Sequence, residues 1–574
     1  MKQKIFALFL ILCGLCLNLK AETQGDIVGR VLDDSGAPLV GATVQILHAK
    51  GGVTTDEDGY FRIPYSKEGA VRVKVSFVGY QTQTFVLKAD ERKGEQHVLR
   101  LQPDATALDQ VVVTATRTPK ALKDAPVVTR LITANDIKIA DATNIQDLLT
   151  EQMPGLEFGY AMNQETSLNM NGFGGNAVLF LVDGERLAGE TMDNVDYSRL
   201  NLDNVGRIEI VKGAASALYG ASAVAGVINI ISRENSEPWT ANVNTRYNDF
   251  NKEWRHGGSF SFNAGKWNSQ TSIQRTTSDE VQLTSPFDTE SNILHIYGGE
   301  TFNVKERLTY KLSDKVKLIG RGGYFARISN RSNYDDHYND YSAGLKTVMN
   351  LSENDNLEIS YGFDQYDKTR FVNNERTHDH DYTNRQNIVR ALYSHIFGKN
   401  TLTAGADFLN DYLTTYQFAN NGSKTQNSYD AFAQFDYNPL QWLNIVASLR
   451  HDYFSASSQH ATTGRLALMT KWKGFSIRAN YAGGFRAPTL KEMYMNFDMA
   501  GMQMIYGNPD LKPEKSDNFN LALEHTGRVK SAGFFTGQYS LTLMGYYNKY
   551  DKRITTEDYA DYTPGTGQPD VASR

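Results

Sequence analysis

The second half of the chain alternates apolar and polar residues with a period of two. The pattern is clearest in NLEISYGFDQY (Asn356 to Tyr366), NIVASLRHDYF (Asn444 to Phe454) and SLTLMGYYNKY (Ser540 to Tyr550). Successive side chains of a strand point to opposite faces, so this alternation predicts strands with one apolar face. Turn signals recur near Lys266, Asp314, Asn354, Lys399, Pro439 and Gly474. Each interval between two turn signals contains one strand, a longer polar loop and a returning strand. This rhythm is typical of a transmembrane antiparallel β-barrel.

The composition agrees with a barrel. A mean hydropathy of −0.45 is typical of a soluble protein, but a barrel with a polar lumen gives the same average. The 31 tyrosines and 28 phenylalanines favour the barrel, whose two membrane interfaces carry aromatic girdles. A tandem of soluble β-sandwiches is the alternative, and the regular spacing disfavours it. The net charge of −6 comes without a basic stripe, so we expect no nucleic-acid partner.

The N-terminus has the layout of a secretory signal peptide. Lys2 and Lys4 precede an apolar run from Ile5 to Leu17, and we expect cleavage after Ala21, which makes residues 1–21 the signal peptide. Both of the 2 cysteines lie in this run. We therefore expect a processed protein without thiols, which excludes disulfides, Cys-zinc sites and thiol catalysis.

Three regions follow the signal peptide. Residues 22–103 contain short alternating stretches such as VRVKVSFVGY, which predict a small β-sandwich. Residues 104–118 form a linker, and residues 119–234 mix helix and strand signals that predict a compact α/β plug. In the plug, Thr133 and Asp136 predict a helix cap, and Asp183-Gly184 predicts a turn after the strand Val178 to Val182.

Residues 235–574 form the predicted barrel. Its pattern yields about fifteen strands, the last from Ser540 to Tyr550, whereas single-chain bacterial barrels have an even number. The chain then ends in YADYTPGTGQPDVASR without a further amphipathic strand. We therefore expect the barrel to be truncated, with its C-terminal strands missing.

Four motifs identify a known family. They are GAASALYGASAVAGVINIIS (Gly213 to Ser232), LVDGERL (Leu181 to Leu187), RIEIVKG (Arg207 to Gly213) and QVVVTATR (Gln110 to Arg117). Their order resembles that of TonB-dependent outer-membrane receptors. The pattern GRVLDDSGAPLVGATV followed by TTDEDGYFRI resembles the carboxypeptidase-regulatory-like domain of receptors from the Bacteroides group. The resemblance implies a mainly β protein of the Gram-negative outer membrane, with a sandwich, a plug and a lipid-embedded barrel.

The segment LDQVVVTATR resembles a TonB box. An extended Val-rich segment can add as a strand to a partner through backbone hydrogen bonds. The resemblance assigns TonB binding to Gln110, Val111, Val112, Val113, Thr114 and Ala115. It implies that ligand binds outside, the box becomes exposed inside, and TonB with its inner-membrane energising complex displaces part of the plug.

The stretch from Gly484 to Glu514 is a predicted outer loop. Its FRAP and NPDL sequences resemble boxes of haem receptors, although the histidine that those receptors usually place between the boxes is missing. Methionines stand there instead, and thioether sulfur can ligate haem iron or pack against a flat macrocycle. We expect ligand contacts from Phe485, Arg486, Ala487, Pro488, Met493, Met495, Met499, Met502, Met504, Asn508, Pro509, Asp510 and Leu511.

Histidines on another predicted outer loop can supply the missing iron ligand. Thr377-His378-Asp379-His380-Asp381 places two imidazoles at positions i and i+2. A solvated His-Asp run is the simpler interpretation. The hypothesis is that His378 or His380 gives haem iron one axial ligand.

The leading function is therefore a receptor that imports an iron complex, with haem slightly ahead of a ferric siderophore. Cobalamin is the next cargo, and a glycan importer is a different class that the N-terminal domain permits. An adhesin is the non-transport alternative, but an adhesin needs neither a plug nor a TonB box. Enzyme activity is the weakest class, since the sequence has no HExxH, GxSxG or GxxxxGK[ST] motif. We expect no catalytic cofactor.

Overall fold

The computed structural model describes residues 27–33, 36, 38–39, 41–47, 52–56, 58–63, 70–77, 82–87, 97–101, 111–160, 164–190, 194–235, 237–284, 293–498, 504–532 and 535–556. The chain divides into two compact units after Gln110. The predicted signal peptide, Gln110, Met499 and Met502 lie outside the described residues.

The described residues of the N-terminal unit form β-strands and turns. Its described strands are β1 (Ile27–Leu32), β2 (Thr43–Ile46), β3 (Gly52–Thr54), β4 (Tyr60–Ile63), β5 (Val71–Ser76), β6 (Gln83–Leu87) and β7 (His97–Arg100). They form a three-stranded sheet, β4-β1-β7, and a four-stranded sheet, β3-β2-β5-β6. In β5, Val71, Val73 and Val75 are buried while Arg72 and Lys74 are exposed. The buried side chains of both sheets share one apolar core, as the period-two pattern predicts.

The second unit begins with an α/β plug. Its strands are β8 (Val111–Val112), β9 (Lys120–Ala121), β10 (Thr129–Thr133), β11 (Leu156–Tyr160), β12 (Thr166–Met170), β13 (Phe173–Gly174), β14 (Val178–Val182), β15 (Glu185–Arg186), β16 (Val205–Lys212) and β17 (Gly226–Ser232). Its helices are α1 (Ala134–Ala140), α2 (Ile145–Gln152) and α3 (Ser216–Tyr219), with 3-10 turns at Leu122–Asp124, Gly175–Ala177 and Tyr197–Arg199. The main sheet has the order β10-β16-β17-β14-β15.

Local sequence signals place these elements as predicted. Thr133 and Asp136 form a capping box at the start of α1, each side chain accepting from the other's backbone N–H. Asp183 and Gly184 adopt positive φ values of 52° and 86°, which suit the two-residue turn between β14 and β15. Among the described residues, no helix has both the length and the apolar character that a membrane span requires.

Small residues let the chain between β16 and β17 pack tightly inside the barrel. Ala215, Ala217 and Ala223 are fully buried. Gly220 has a φ of 76°, and a Cβ atom there would lie 2.6 Å from Nη2 of Arg450. Position 220 therefore requires glycine for both its backbone conformation and its close approach to the barrel wall.

The remaining strands are β18 (Trp239–Asn248), β19 (Glu253–Ala264), β20 (Trp267–Ser278), β21 (Val281–Thr284), β22 (Ile293–Ile296), β23 (Gly299–Lys311), β24 (Val316–Asn330), β25 (Asp335–Asn350), β26 (Asp355–Val372), β27 (Glu375–Phe397), β28 (Asn400–Thr415), β29 (Ser423–Leu440), β30 (Leu443–Phe454), β31 (Gln459–Trp472), β32 (Phe475–Arg486), β33 (Asn496–Asp498), β34 (Met504–Tyr506), β35 (Glu514–Ala532) and β36 (Phe535–Lys552). A 3-10 turn, Ala419–Asn421, follows β28, and helix α4 (Leu490–Tyr494) follows β32. Fifteen strands form one antiparallel sheet in chain order, and β21–β22 and β33–β34 are separate hairpins. Fifteen is also the number that the sequence pattern predicts.

The sheet has an apolar outer face and a polar inner face. In β30, Ser448 and Arg450 are buried on the inner face, whereas Leu449 on the outer face is 62% exposed. Trp442 and Trp472 are exposed at the end where the strands are joined by short turns. This is the arrangement of a barrel wall in a membrane, with aromatic side chains at the interface.

One predicted outer loop is absent. The sequence predicted a loop around His378 and His380, and this prediction was wrong because β26 and β27 extend to a two-residue turn at Asn373 and Asn374. The ladder pairs Arg370 with Thr377 and then resumes at Lys368 and Tyr382, so residues 378–381 form a bulge within β27. A bulge interrupts the alternation from which strands are inferred, and the outer part of this strand therefore had no strand signal.

We expect Leu449→Arg to reduce assembly of the barrel. A cationic side chain on the lipid-facing wall near the middle of a strand costs about 2–4 kcal/mol at the bilayer midplane. Leu351 is 53% exposed in a short turn, so Leu351→Arg is the matched control. The measurement is the heat-modifiable fraction in outer membranes, and equal yields for both variants would contradict a lipid-facing position for Leu449.

Candidate functional site

The predicted TonB box is folded onto the plug. We call residues Val111–Arg117 the box segment. Val111 and Val112 pair with Ala121 and Lys120 in a short antiparallel ladder. Val112 is fully buried in a plug core, whereas Val111 is 49% exposed. The Val-rich pattern therefore forms a strand here, with one side chain anchored and its neighbour facing outward.

A buried carboxylate of the plug holds the box segment. Glu209 in β16 is fully buried, and its Oε2 atom accepts hydrogen bonds from the backbone N–H groups of Val113 (2.9 Å) and Thr114 (2.8 Å). The same oxygen accepts from Oγ1 of Thr114 at 2.7 Å, and Oε1 accepts from Nε of Arg207 at 2.8 Å. Burying a charge is costly unless it is bonded, and these four donors supply the bonds.

Other side chains occupy the carbonyl and hydroxyl groups of the box segment. The donors and acceptors are Tyr219 Oη to Thr114 O (3.0 Å), Asn229 Nδ2 to Thr114 Oγ1 (3.0 Å), Arg465 Nη1 to Ala115 O (3.3 Å) and Gln434 Nε2 to Thr116 O (2.7 Å). Strand addition by a partner uses backbone N–H and C=O groups. Several of the backbone groups that such a partner would need are thus already bonded to plug and barrel.

Two cations tie the same region to the barrel wall. Nη2 of Arg117 donates to the carbonyl of Leu218 at 2.7 Å and lies 3.9 Å from Asp407. Burial, with a contribution from nearby Arg390, lowers the pKa of Arg117 to about 10. Nζ of Lys120 lies 2.6 Å from Asp436, close to the short turn between β29 and β30. The box segment therefore lies toward the short-turn end of the barrel.

Further buried ion pairs join the plug to strands β24, β25 and β26 of the wall. Arg199 lies 2.5 Å from Asp340 and 2.8 Å from Asp364. Burial opposes the charge on Arg199, but the two carboxylates hold its pKa above the ordinary value. Arg327 lies 3.0 Å from Asp196 of the plug. Breaking one partner of such a pair leaves an uncompensated buried charge, so these pairs set the position of the plug.

Between the plug and the barrel wall lies a cavity with a mixed polar and apolar lining, which we call the chamber. Its volume is about 220 Å³. Most of its lining groups can form hydrogen bonds, among them Arg186, Glu190, Tyr382, Gln386, Gln426 and Thr489. Arg186 donates to the backbone carbonyls of Tyr219, at 3.5 Å, and Ala221. Burial, followed by Arg450 and Arg390, lowers the pKa of Arg186 to about 10.

The FRAP residues lie at the start of the connection from β32 to β35, next to this chamber. Phe485 and Arg486 still belong to β32, and the Phe485 ring packs on Phe454 at 5.8 Å between centroids. Arg486 donates to Glu492 at 2.9 and 2.8 Å and to Glu514 at 3.1 and 2.9 Å. Ala487 and Pro488 are buried and line the chamber. The guanidinium of Arg486 thus clamps the two ends of the connection together.

The NPDL residues form a turn on helix α4. The backbone N–H of Asn508 donates to the carbonyl of Glu492 at 2.9 Å, and its Oδ1 accepts from the N–H of Asp510 at 2.9 Å. Leu511 is buried, whereas Pro509 and Asp510 are exposed. The two boxes therefore meet at Glu492, which is bonded to Arg486 and to Asn508.

The described methionines of this connection occupy different surroundings. Met493 is fully buried in a cluster with Tyr338, Tyr366, Tyr382, Leu413, Phe418 and Leu490. Met495 is half-buried, and Met504 is 38% exposed. In this structure Met493 packs the connection onto the barrel wall.

The two histidines of the predicted iron site lie beside aspartates. Nδ1 of His378 lies 2.8 Å from Asp381, and Nδ1 of His380 lies 3.1 Å from Asp379. The ring of His380 packs on Tyr416 at 4.8 Å. Across the described ranges, no group of three or more His, Cys, Asp or Glu side chains is arranged to hold a metal ion.

The comparisons with known proteins decide the family. The description "TonB dependent receptor-like, beta-barrel" matches residues 296–573, "TonB-dependent Receptor Plug Domain" matches residues 121–227, and "CarboxypepD_reg-like domain" matches residues 27–113. These matches follow the order of the N-terminal β domain, the plug and the barrel. The chain is a TonB-dependent outer-membrane receptor. Receptors of this family interact with TonB, bind small-molecule ligands and are not enzymes.

Named relatives of the receptor differ in what their names say they do. It is 25% identical over 483 residues to the iron-regulated outer membrane virulence protein of Vibrio cholerae, covering 79% of this chain and 70% of the relative. It is 28% identical over 493 residues to the vitamin B12 transporter BtuB of the same species, covering 81% and 74%.

Solved structures of low identity share the fold. The siderophore receptor PirA of Pseudomonas aeruginosa has a TM-score of 0.62 at 17% identity and covers 78% of each chain. The haemophore receptor HasR of Serratia marcescens has a TM-score of 0.65 at 13% identity, covering 78% of this chain and 77% of its own.

The sequence predicted the box segment but not its partner. Glu209 stands in RIEIVKG, where a strand pattern alone does not tell that the carboxylate is buried. The available signal is an acidic residue at the centre of an otherwise apolar buried strand, since a buried charge requires a partner. Arg199 and its two aspartates gave no signal, because their pairing joins positions more than 140 residues apart.

We expect Glu209→Ala to free the box segment without cargo. The variant removes an acceptor of charge-assisted hydrogen bonds, each of which contributes about 1.5–3 kcal/mol, so release should rise roughly tenfold or more. Disulfide cross-linking of Val111→Cys to a cysteine variant of TonB measures it. Glu157→Ala, at an exposed plug carboxylate, is the control, and unchanged cross-linking in Glu209→Ala would refute the anchor.

We expect Arg486→Ala to loosen the connection between β32 and β35. Removing one partner of a buried ion pair costs about 3–5 kcal/mol, so protease cleavage between Asn496 and Asn508 should become at least roughly tenfold faster. Lys512→Ala, at an exposed cation nearby, should leave cleavage unchanged. Normal cleavage together with lost cargo binding would instead assign Arg486 to the cargo.

Proposed function

We propose that the receptor imports an iron complex of polar, hydrogen-bonding character, with a ferric siderophore ahead of haem. The observation that carries this proposal is the chamber, whose lining combines amides, hydroxyls, carboxylates and guanidinium groups with apolar side chains. Ligand sites place polar groups where the ligand has matching polar atoms. The name of the iron-regulated Vibrio cholerae relative supports iron as the cargo metal.

Haem is the weaker of the two iron cargoes on this geometry. The preference for haem rested on the FRAP and NPDL boxes and on the methionines between them. Arg486 is fully engaged by Glu492 and Glu514, and Met493 is buried against the barrel wall. Haem binding by these residues would require the connection to rearrange, whereas Gln426 and Thr489 already line the chamber.

A short path links the chamber to the box segment. Tyr219 lines the chamber, and its backbone carbonyl accepts from Arg186. Its hydroxyl donates to the carbonyl of Thr114 in the box segment at 3.0 Å. A cargo that displaces Arg186 therefore acts on the residue that holds the box. We propose that this contact couples cargo binding to release of the box for TonB.

Cobalamin is the second candidate. The relative with the higher identity of the two described above is named as a vitamin B12 transporter, at 28% over 81% of this chain. Cobalamin is also a metal complex with many amide groups, which the same lining can bind. The two cargoes require the same box and the same plug movement, so only direct uptake measurements separate them.

The test is uptake of labelled cargo by cells that express the receptor, with and without TonB. We expect TonB-dependent uptake of a ferric siderophore. Uptake of cobalamin alone would move the assignment to cobalamin, uptake of haem alone would restore haem, and failure with all three would overturn the proposal.

Val113→Pro should abolish this uptake while leaving cargo binding intact. Proline removes the backbone N–H that strand addition requires, whereas Val113→Ala keeps it and should retain uptake. Cargo binding is measured by titration on purified receptor. Full uptake by Val113→Pro would contradict backbone pairing between TonB and the box segment.

A further inference from the structure

Two histidines meet on the outer wall of the barrel, away from the chamber and the box segment. His451 lies in β30 and His460 in β31. The ladder places His451 opposite Thr462 and Tyr453 opposite His460, so the two histidines are diagonal neighbours. Both side chains are exposed on the lipid-facing side, beyond Leu449 toward the ends of the strands that carry the longer connections.

The imidazoles are in direct contact. Nε2 of His451 lies 3.2 Å from Nδ1 of His460, and the ring centroids are 5.3 Å apart. Nδ1 of His451 lies 2.8 Å from Oγ1 of Thr462. The ring of Tyr453 packs on His460 at 4.8 Å. Neighbouring side chains therefore hold both rings in place.

The spacing suits coordination of one metal ion. Neutral imidazole nitrogen is the commonest metal ligand in proteins. Two nitrogens that bind one tetrahedral zinc ion at 2.0–2.1 Å lie about 3.3 Å apart, close to the observed 3.2 Å. A small rotation of the exposed rings turns both lone pairs toward a shared ion.

Thr462 completes the arrangement. A histidine that binds metal through one nitrogen usually donates its other N–H to a nearby oxygen, which fixes the tautomer. When Nδ1 of His451 donates to Oγ1 of Thr462, its Nε2 atom carries the free lone pair. That nitrogen is the one that faces His460.

We propose that His451 and His460 form a site for a divalent transition-metal ion, with copper bound more tightly than zinc. The order follows the general affinity series for nitrogen ligands. Two protein ligands leave the other coordination positions of the ion unfilled by the chain. This site is independent of the cargo proposal, because it uses neither the chamber nor the plug.

The chain offers a matched control in His256 on β19. His256 is also exposed, and its Nδ1 atom lies 2.8 Å from Oγ1 of Thr245. Its ring packs on Trp254 at 5.6 Å, so it reproduces the surroundings of His451 without a second histidine. His256→Ala therefore shows how much copper binding is lost when a histidine without a histidine neighbour is removed.

The experiment is titration of untagged full-chain receptor with Cu²⁺ in detergent, followed by electron paramagnetic resonance. We expect one copper ion with two nitrogen ligands, lost in His451→Ala and in His460→Ala and kept in His256→Ala. Thr462→Val should weaken binding roughly tenfold, the lower end of the usual effect of losing such a partner. Heat-modifiable migration confirms folding of each variant. Copper binding that persists in both single variants, or a signal with one nitrogen, would overturn the site.

Discussion

Charges that the plug carries into the barrel must find partners, and this constraint determines how the second unit is built. Arg199 is held by Asp340 and Asp364, and Arg327 of the wall holds Asp196. Each pair joins plug to wall, so the plug has one position in which its buried charges are compensated. Glu209 obeys the same constraint, but its partners are the backbone N–H groups of the box segment.

Because its partners are backbone N–H groups, Glu209 is suited to control whether the box segment is held or released. Ion pairs between side chains stay within the plug and the barrel, whereas the hydrogen bonds of Glu209 occupy backbone groups of the segment that we propose TonB binds by strand addition. Tyr219 contacts both the box segment and the chamber. Its hydroxyl donates to the carbonyl of Thr114, and its own carbonyl accepts from Arg186. In this structure the box segment is thus bonded next to a residue that lines the chamber.

The sequence predicted the repeating parts of the fold and missed the long-range pairs. Period-two alternation and turn signals predicted the barrel strands, because each strand alone shows them. The outer end of β27 was missed, since the bulge at residues 378–381 breaks the pattern. Of the site, the sequence predicted the box from Gln110 to Ala115 and the FRAP residues, of which Arg486, Ala487 and Pro488 line the chamber. Glu209 and the clamp of Arg486 on Glu492 and Glu514 depend on contacts that no local pattern encodes.

The most direct test is the mobility of a spin label attached through Val111→Cys, at the half-exposed start of the box segment, in outer membranes. We predict an immobile label in the resting receptor and a mobile component when the transported cargo is added. A label that is mobile without cargo, or that stays immobile at saturating cargo, would contradict storage of the box by Glu209 and its release from the chamber.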